Sequence, residues 1–151
     1  MRSSRLEFPW SRPLLPRTKG PVFKRQLVES LLAESKAAVP KECCGLLWTR
    51  EKGLFCDFTG YSKHGTREAF VLPDSWILKQ VYEKKNHGLR LSGFYHSHPN
   101  TGSTLPSRRD LLGHPPGAYF VIVSPGFEDA KLFQRHLDEY DYSELPLNVS
   151  E

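Results

Sequence analysis

The chain has 151 residues, of which 38% are hydrophobic and 25% are charged, as expected for one soluble domain with a single core. No apolar run approaches the roughly 18 residues of a membrane-spanning helix, and no continuous apolar segment follows the basic N-terminus, which argues against a membrane protein and a secretory signal. The net charge is +4, but residues 1–25 hold seven basic side chains and one acid, so the positive excess belongs to the N-terminal segment.

Residues 1–20 are expected to form a basic, flexible leader, followed by one domain over residues 21–151. A basic segment can contact nucleic acid or an acidic partner, but a solvated leader is the favoured interpretation. The three cysteines lack both a CxxC pair and the spacing of a disulfide framework. Reduced thiols and a cytoplasmic protein are therefore expected.

Hydrophobic periodicity, turn residues and prolines predict three helices and seven strands. In chain order these are a helix from Pro21 to Pro40, strands at Cys44–Trp48, Leu54–Thr59 and Arg67–Leu72, a helix from Pro73 to about Asn86, a strand at Leu91–His98, a short helix at Ser107–Leu112, and strands at Ala118–Ser124, Lys131–Leu137 and Leu147–Val149.

This order of elements predicts the α/β (α+β) class, with a single mixed β-sheet flanked by helices. The first two strands are expected to form a hairpin across residues 50–53. Ala118–Ser124 is apolar throughout, as in a central strand covered on both faces. Lys131–Leu137 alternates apolar and polar residues and is expected at an edge of the sheet.

A His-x-His pair lies at the end of the strand predicted over Leu91–His98. Because side chains alternate along a strand, His96 and His98 project from the same face. Asp110 follows twelve residues after His98, behind a Pro-Ser helix start. Two imidazoles and one carboxylate leave a zinc ion one open position for water. The pattern predicts a site for one catalytic Zn²⁺ ion and a metal-dependent hydrolase.

These residues also have structural explanations. Ser107 and Asp110 form a Ser-x-x-Asp sequence after a proline, which is a variant of the helix capping box and needs no chemistry. We expect Asp110 to be unable to act fully as both cap and ligand. His96 and His98 could be a chance pair in the core or at the surface. The other four histidines lack ligand spacing and are expected at the surface or in loops: His64, His87, His114 and His136.

A hydrolytic zinc site also needs a general base that takes a proton from water and passes it to the leaving amine. Glu42 is the candidate, because it follows Pro40 and lies two residues before the strand predicted at Cys44–Trp48. An acid at that position can lie beside the sheet end that carries the histidines. Alternatively, Glu42 is an ordinary surface carboxylate with no catalytic role.

Three segments carry a resemblance to a known family: Pro-Lys-Glu-Cys-Cys-Gly-Leu-Leu at 40–47, Gly-Phe-Tyr-His-Ser-His-Pro at 93–99 and Pro-Ser-Arg-Arg-Asp at 106–110. Together they resemble the Glu, His-x-His-Pro and Ser-x-x-Asp motifs of the JAMM (MPN+, JAB1/MPN/Mov34) zinc metalloproteases, as a minimal prokaryotic member. The resemblance implies a JAB1/MPN domain of the cytidine-deaminase-like type. It also implies zinc on His96, His98 and Asp110, Glu42 as general acid/base, and Ser107 stabilising the oxyanion.

The activity implied by this resemblance is hydrolysis of a peptide or isopeptide bond after the C-terminal Gly of a ubiquitin-like protein with a Gly-Gly tail. Deconjugation or precursor processing is expected, with E1- and E2-like operon partners in a bacterial anti-phage conjugation system. One alternative is removal of an adduct from a sulfur-carrier protein in sulfur or cysteine metabolism. Another is a non-catalytic MPN scaffold, which is disfavoured because all five motif positions are filled. Neither nucleic acid nor a membrane is expected as a partner.

One feature departs from the family pattern. Eight residues separate His98 from Ser107, where seven are expected. The extra residue is expected to alter the shape of the loop over residues 99–106 more than metal ligation.

Overall fold

A computed structural model describes residues 20–51, 53–61, 72–99, 104–137 and 141–151. Within these ranges the chain forms three helices and eight strands. In chain order they are β1 (Val22–Lys24), α1 (Arg25–Ala38), β2 (Cys44–Glu51), β3 (Leu54–Gly60), α2 (Asp74–Lys85), β4 (Arg90–Ser97), α3 (Arg108–Leu112), β5 (Tyr119–Ser124), β6 (Asp129–Arg135), β7 (Tyr142–Leu145) and β8 (Asn148–Ser150).

All eight strands belong to one mixed sheet in the order β7-β6-β5-β4-β2-β3-β1-β8. The pairs β1–β3, β1–β8 and β4–β5 are parallel, and the other neighbouring strands are antiparallel. The predicted mixed sheet is therefore confirmed, as is the β2–β3 hairpin. β4 and β5 lie in the middle of the sheet, where every residue of β5 is buried. This placement agrees with the uninterrupted apolar sequence of β5.

The two faces of β4 carry different chemistry. Tyr95 and His96 are adjacent, so they project to opposite faces of the sheet. On one face the Tyr95 hydroxyl donates a hydrogen bond to Glu34 Oε1 of α1 at 2.6 Å. On the other face His96 meets Asp110 of α3. Helices α1 and α3 therefore cover opposite faces, and the candidate site lies on the α3 side.

A glycine in β2 makes room for the Tyr95 ring. Gly45 pairs with Tyr95 on one side and with Gly60 on the other. A Cβ atom on Gly45 would collide with the Thr59 carbonyl oxygen and lie 2.7 Å from the Tyr95 ring. Close packing of β2 against its neighbours therefore requires glycine at this position.

The three predicted helices are present, with shifted boundaries at the first. The segment before α1 was expected to be helical from Pro21, but residues 22–24 form strand β1 instead. Val22 and Phe23 pair with β3, and the whole strand pairs in parallel with β8. Such pairing depends on residues that are distant in sequence, so it overrides the local helical pattern. The buried Phe23 ring stacks on Phe55 of β3 with centroids 4.5 Å apart.

The prediction of an edge strand at Lys131–Leu137 is wrong. Strand β6 lies between β5 and β7, and β7 pairs with it from Leu132 to Arg135. β7 was not predicted, because it is short and lies in a polar segment. The predictions of a leader over residues 1–20 and a strand at Arg67–Leu72 concern segments that, except for residues 20 and 72, lie outside the described residues. Among the described helices, none is both long and apolar enough to span a membrane.

Candidate metal centre

The structure brings His96, His98 and Asp110 together at the end of β4. Asp110 Oδ1 lies 3.2 Å from His96 Nε2, and Asp110 Oδ2 lies 3.1 Å from His98 Nε2. One potential ligand atom from each residue lies within 4.8 Å of the other two. His96 is fully buried and Asp110 is 7% exposed. The three residues predicted as metal ligands thus form one compact, largely buried cluster.

Neighbouring strands fix the backbone that carries the two histidines. His96 pairs with Cys44 of β2 on one side and with Ile122 of β5 on the other. His98 lies one residue beyond β4, and its amide donates to the Val123 carbonyl at 2.9 Å. The two imidazole rings lie 5.1 Å apart between centroids. Because both flanking strands hold this backbone, the relative positions of the two rings are preorganised.

Helix α3 begins with a complete capping box that includes Asp110, the third predicted ligand. Ser107 Oγ accepts a hydrogen bond from the Asp110 amide at 3.0 Å, and Asp110 Oδ2 accepts one from the Ser107 amide at 2.9 Å. The expectation that Asp110 cannot act fully as both cap and ligand stays a prediction, but its side chain does cap α3 and contact both histidines at once. A carboxylate has about four lone-pair positions, so the Ser107 amide leaves Oδ1 for His96 and a second position on Oδ2 for His98.

The electrostatics of the cluster favour the forms that bind metal. Burial by itself would raise the pKa of Asp110, but the contacts with His96, His98 and the Ser107 amide outweigh it and lower that pKa below its ordinary value. Burial lowers the pKa of His96, with Asp110 opposing the shift. An ionised carboxylate beside a neutral imidazole is the donor state that a metal ion requires.

The cluster offers two imidazoles and one carboxylate, and one potential ligand atom from each residue lies within 4.8 Å of the other two. Imidazole nitrogen and carboxylate oxygen are both common ligands of metal ions in proteins. The residues present therefore fit a metal ion held by two nitrogens and one oxygen.

Glu42 lies in the segment that hydrogen-bonds to the end of β4. The amide of the next residue, Cys43, donates to Ser97 Oγ at 2.9 Å, and the Cys43 carbonyl accepts from the Ser97 amide at 2.9 Å. Glu42 is half-buried. Burial raises its pKa to about 7, while the nearby charges of His98 and Arg109 lower it and that of Asp110 raises it. A carboxylate with this pKa beside the cluster can exchange protons near neutral pH.

Ser107 combines a cap with an accessible hydroxyl. The side chain is exposed, and its oxygen already accepts the Asp110 amide. A hydroxyl has one hydrogen to donate in addition to its acceptor positions, so capping leaves that hydrogen for another group. The structure thus places Ser107 next to the cluster without restricting it to either role.

His114 was expected at the surface or in a loop. It does lie in the loop between α3 and β5, but it is not at the surface, because its side chain is 2% exposed and its ring stacks on His96 at 5.7 Å and on Phe120 at 4.4 Å between centroids. The sequence offers no spacing signal for it, and the flanking Gly113 and Pro115 resemble a surface turn. His87 is exposed and His136 is partly exposed, as expected, while His64 lies outside the described residues.

The family model for prokaryotic homologs of the JAB domain matches residues 24–136. The chain belongs to this family. Membership confirms the resemblance drawn from the Glu, His-x-His-Pro and Ser-x-x-Asp motifs. The matched range contains the whole metal cluster together with Glu42 and Ser107. No curated protein sequence matches this JAB-domain chain.

Solved structures show the same fold. A protein from Desulfitobacterium hafniense is 25% identical, with a TM-score of 0.71 over 86% of this chain and 92% of its own. A JAB1/MPN domain protein from Archaeoglobus fulgidus is 24% identical, with a TM-score of 0.59 over 88% of this chain and 100% of its own. A third structure, described as a JAMM metalloprotease-like zinc site in the proteasome and signalosome, is 23% identical, with a TM-score of 0.57 over 89% of this chain and 100% of its own. The predicted JAB1/MPN fold is therefore confirmed.

Proposed function

We propose that this JAB-domain protein is a zinc-dependent peptidase or isopeptidase. The observation that carries the proposal is the buried cluster of His96, His98 and Asp110 with a half-buried carboxylate, Glu42, whose pKa is about 7. A structural zinc site is normally closed by four protein ligands, whereas a hydrolytic one keeps a position for water or substrate. Among the described residues the cluster has three such groups, and the chain supplies a base beside them.

His96, His98 and Asp110 would hold the metal ion. When bound, zinc would supply Lewis acidity to water and to the scissile carbonyl oxygen. The neutral imidazole of His96 and the ionised carboxylate of Asp110 are ready to act as ligands without prior loss of a proton. The capping box keeps Asp110 Oδ1 directed at His96, because Oδ2 is held by the Ser107 amide.

Glu42 carries the proton. In the proposed reaction its carboxylate removes a proton from the attacking water and then donates that proton to the leaving nitrogen, so that the amine departs neutral. A pKa of about 7 suits both halves of this cycle, because the group can accept and release a proton at similar cost near neutral pH. The exposed Ser107 hydroxyl donates to the oxygen of the tetrahedral intermediate.

The proposed substrate is the C-terminal tail of a ubiquitin-like protein, cut after its second glycine. Full burial of His96 and near-complete burial of Asp110 favour a slender substrate, because a bulky side chain beside the scissile bond would be blocked from the cluster. A Gly-Gly tail has no side chains to obstruct that approach. Membership in the JAB-domain family supports the same assignment.

The decisive test is cleavage of defined fusions by the zinc-loaded protein. Ubiquitin-like proteins and sulfur-carrier proteins that end in Gly-Gly would each be extended by a short C-terminal peptide, and mass spectrometry would locate the cut. Glu42→Gln is the matched control, because it replaces the base and leaves all three ligands in place. We expect cleavage after the second glycine by the native protein and a loss of about 10²–10⁴-fold in Glu42→Gln.

The outcomes separate the alternatives. Cleavage of sulfur-carrier fusions alone would assign the enzyme to sulfur metabolism instead of ubiquitin-like conjugation. Full turnover by Glu42→Gln would contradict the mechanism. A native protein that binds zinc and cuts no Gly-Gly fusion would favour a non-catalytic scaffold.

A further inference from the structure

His114 occupies a buried position directly behind the metal cluster. It follows helix α3 by two residues, so it comes from the segment that also supplies Asp110. Its side chain is 2% exposed and its ring contacts the ring of His96 at 5.7 Å, with an angle of 28° between the planes. None of the sequence motifs accounts for a buried imidazole here.

The His114 ring is held from three sides. Phe120 of β5 stacks on it at 4.4 Å with an angle of 18°, and Phe94 of β4 lies at 5.4 Å with an angle of 43°. The backbone is also anchored, because the His114 carbonyl accepts a hydrogen bond from the Arg135 guanidinium of β6. The ring therefore has little freedom to tilt, and neither does a ring stacked against it.

These contacts connect the two elements that carry the metal ligands. His96 comes from β4 and Asp110 from α3, and the end of α3 reaches β4 and β5 through the ring of His114. Rotation of the His96 imidazole about its χ2 bond would move Nε2 away from Asp110 Oδ1, and the stacked His114 ring opposes that rotation. Without such a contact, the χ2 angle of a histidine has a broad distribution, because it is a terminal sp³–sp² torsion.

We propose that His114 is a positioning residue for the metal site, which fixes the plane of the His96 ring and the approach of α3 so that Nε2 and Asp110 Oδ1 face one ion. This inference rests on the proposed function, since it assumes that the cluster binds zinc. Groups that hydrogen-bond to metal ligands and orient them typically contribute 10–100-fold to metal affinity, and we expect a ring packed on a ligand to contribute within the same range. His114 acts here through ring packing, and any flat aromatic ring of similar size should substitute for it.

The experiment compares zinc affinity in three variants with that of the native protein, by competition with a chromophoric chelator. His114→Leu keeps an apolar side chain of similar volume but removes the flat ring. His114→Phe restores a flat ring. Phe133→Leu is the matched control, because Phe133 is equally buried and belongs to the same row of rings, but contacts Phe120 and Tyr142 instead of a ligand. Thermal unfolding of the metal-free proteins would record the stability of each variant.

We expect His114→Leu to bind zinc about 10–100-fold more weakly than the native protein, and His114→Phe and Phe133→Leu to bind it with near-native affinity. The absorption bands of Co²⁺ in the same site should shift and broaden in His114→Leu alone, because they report ligand geometry. If His114→Leu acted only by damaging the core, Phe133→Leu would lower zinc affinity to the same extent.

Three results would overturn the inference: native affinity in His114→Leu, an equal loss in Phe133→Leu, or failure of His114→Phe to restore binding. The native protein distinguishes these results from failure of the proposed function. If it takes up no zinc, the metal site itself is wrong and the role of His114 is lost with it. If it binds zinc tightly and His114→Leu does too, only the role of His114 is wrong.

Discussion

The Ser107 amide donates to Asp110 Oδ2 at 2.9 Å, and the same oxygen lies 3.1 Å from His98 Nε2. The start of helix α3 and the metal cluster therefore share one carboxylate. The cap orients Asp110 without an ion, so in the proposed metal site this side chain would not need to become ordered on binding. A local helix signal thus has a direct role in the site.

Substitutions of Ser107 should distinguish its role as a helix cap from its proposed role as a hydrogen-bond donor to the reaction intermediate. Ser107→Ala should cost about 1 kcal/mol of stability, whereas Ser107→Gly should cost only a few tenths. Both remove the hydroxyl, and each should lower kcat by about 10²–10³-fold on a cleavable fusion. Ser107→Thr should retain both properties. If Ser107→Gly kept native kcat while Ser107→Ala lost it, Ser107 would be a cap alone.

The rate should depend on the ionisation of Glu42. Burial raises its pKa to about 7, and the base is active only when deprotonated, so kcat/KM should fall as pH decreases through that range. A cation on the three ligands adds positive charge nearby and would move the midpoint lower. Glu42→Asp should keep an acidic limb at reduced rate, and Glu42→Gln should lose it. An acidic limb that persists unchanged in the residual activity of Glu42→Gln would exclude Glu42 as the base.

Gly45→Ala should destabilise the sheet next to the site. The new Cβ atom would meet the Thr59 carbonyl, the Tyr95 ring at 2.7 Å and Gly60 Cα at 2.9 Å. Overpacking of this kind typically costs 1–3 kcal/mol, measurable by urea unfolding. Gly126→Ala is the matched control, because nothing lies within 4 Å of its added Cβ atom. Equal stability of the two variants would show that β2 can move away from Tyr95.

The three thiols should differ in reactivity. Burial raises the pKa of Cys43 to about 11 and that of Cys44 to about 12, so neither forms much of the reactive thiolate at neutral pH. Cys56 is partly exposed. An aromatic disulfide reagent should therefore modify Cys56 first in the folded protein and all three thiols in guanidinium chloride. Persistence of the first phase in Cys56→Ser would contradict this assignment.

Most residues of the candidate site could be predicted from the sequence because they lie in short motifs. The side chains of the two histidines project to the same face because side chains alternate along a strand, and Asp110 follows a recognisable helix start. Glu42 was a candidate from its position after Pro40 and before β2, and the resemblance to the JAMM family supported it as the general acid/base although it lies more than fifty residues before His96. Strands β2 and β5 were predicted because buried strands read as apolar runs.

Other features depend on contacts that local sequence does not encode. Residues 22–24 become a strand only because β3 and β8 lie beside them. β6 is not an edge strand because β7 pairs with it, and the four residues of β7 show no hydrophobic pattern that would predict a strand. His114 was expected at the surface or in a loop, and only the contacts of its ring with β4 and β5 show that it is buried.

The sequence by itself determined which residue types the site contains, the family to which they belong and the main strands of the sheet. Only the tertiary structure decided that Asp110 serves the helix cap and both histidines at once, and that an imidazole from the end of α3 stacks on His96. The physical reason is the range of the interactions. Strand alternation and helix caps act within a few residues, whereas ring packing and parallel pairing join segments that meet only when the sheet is complete.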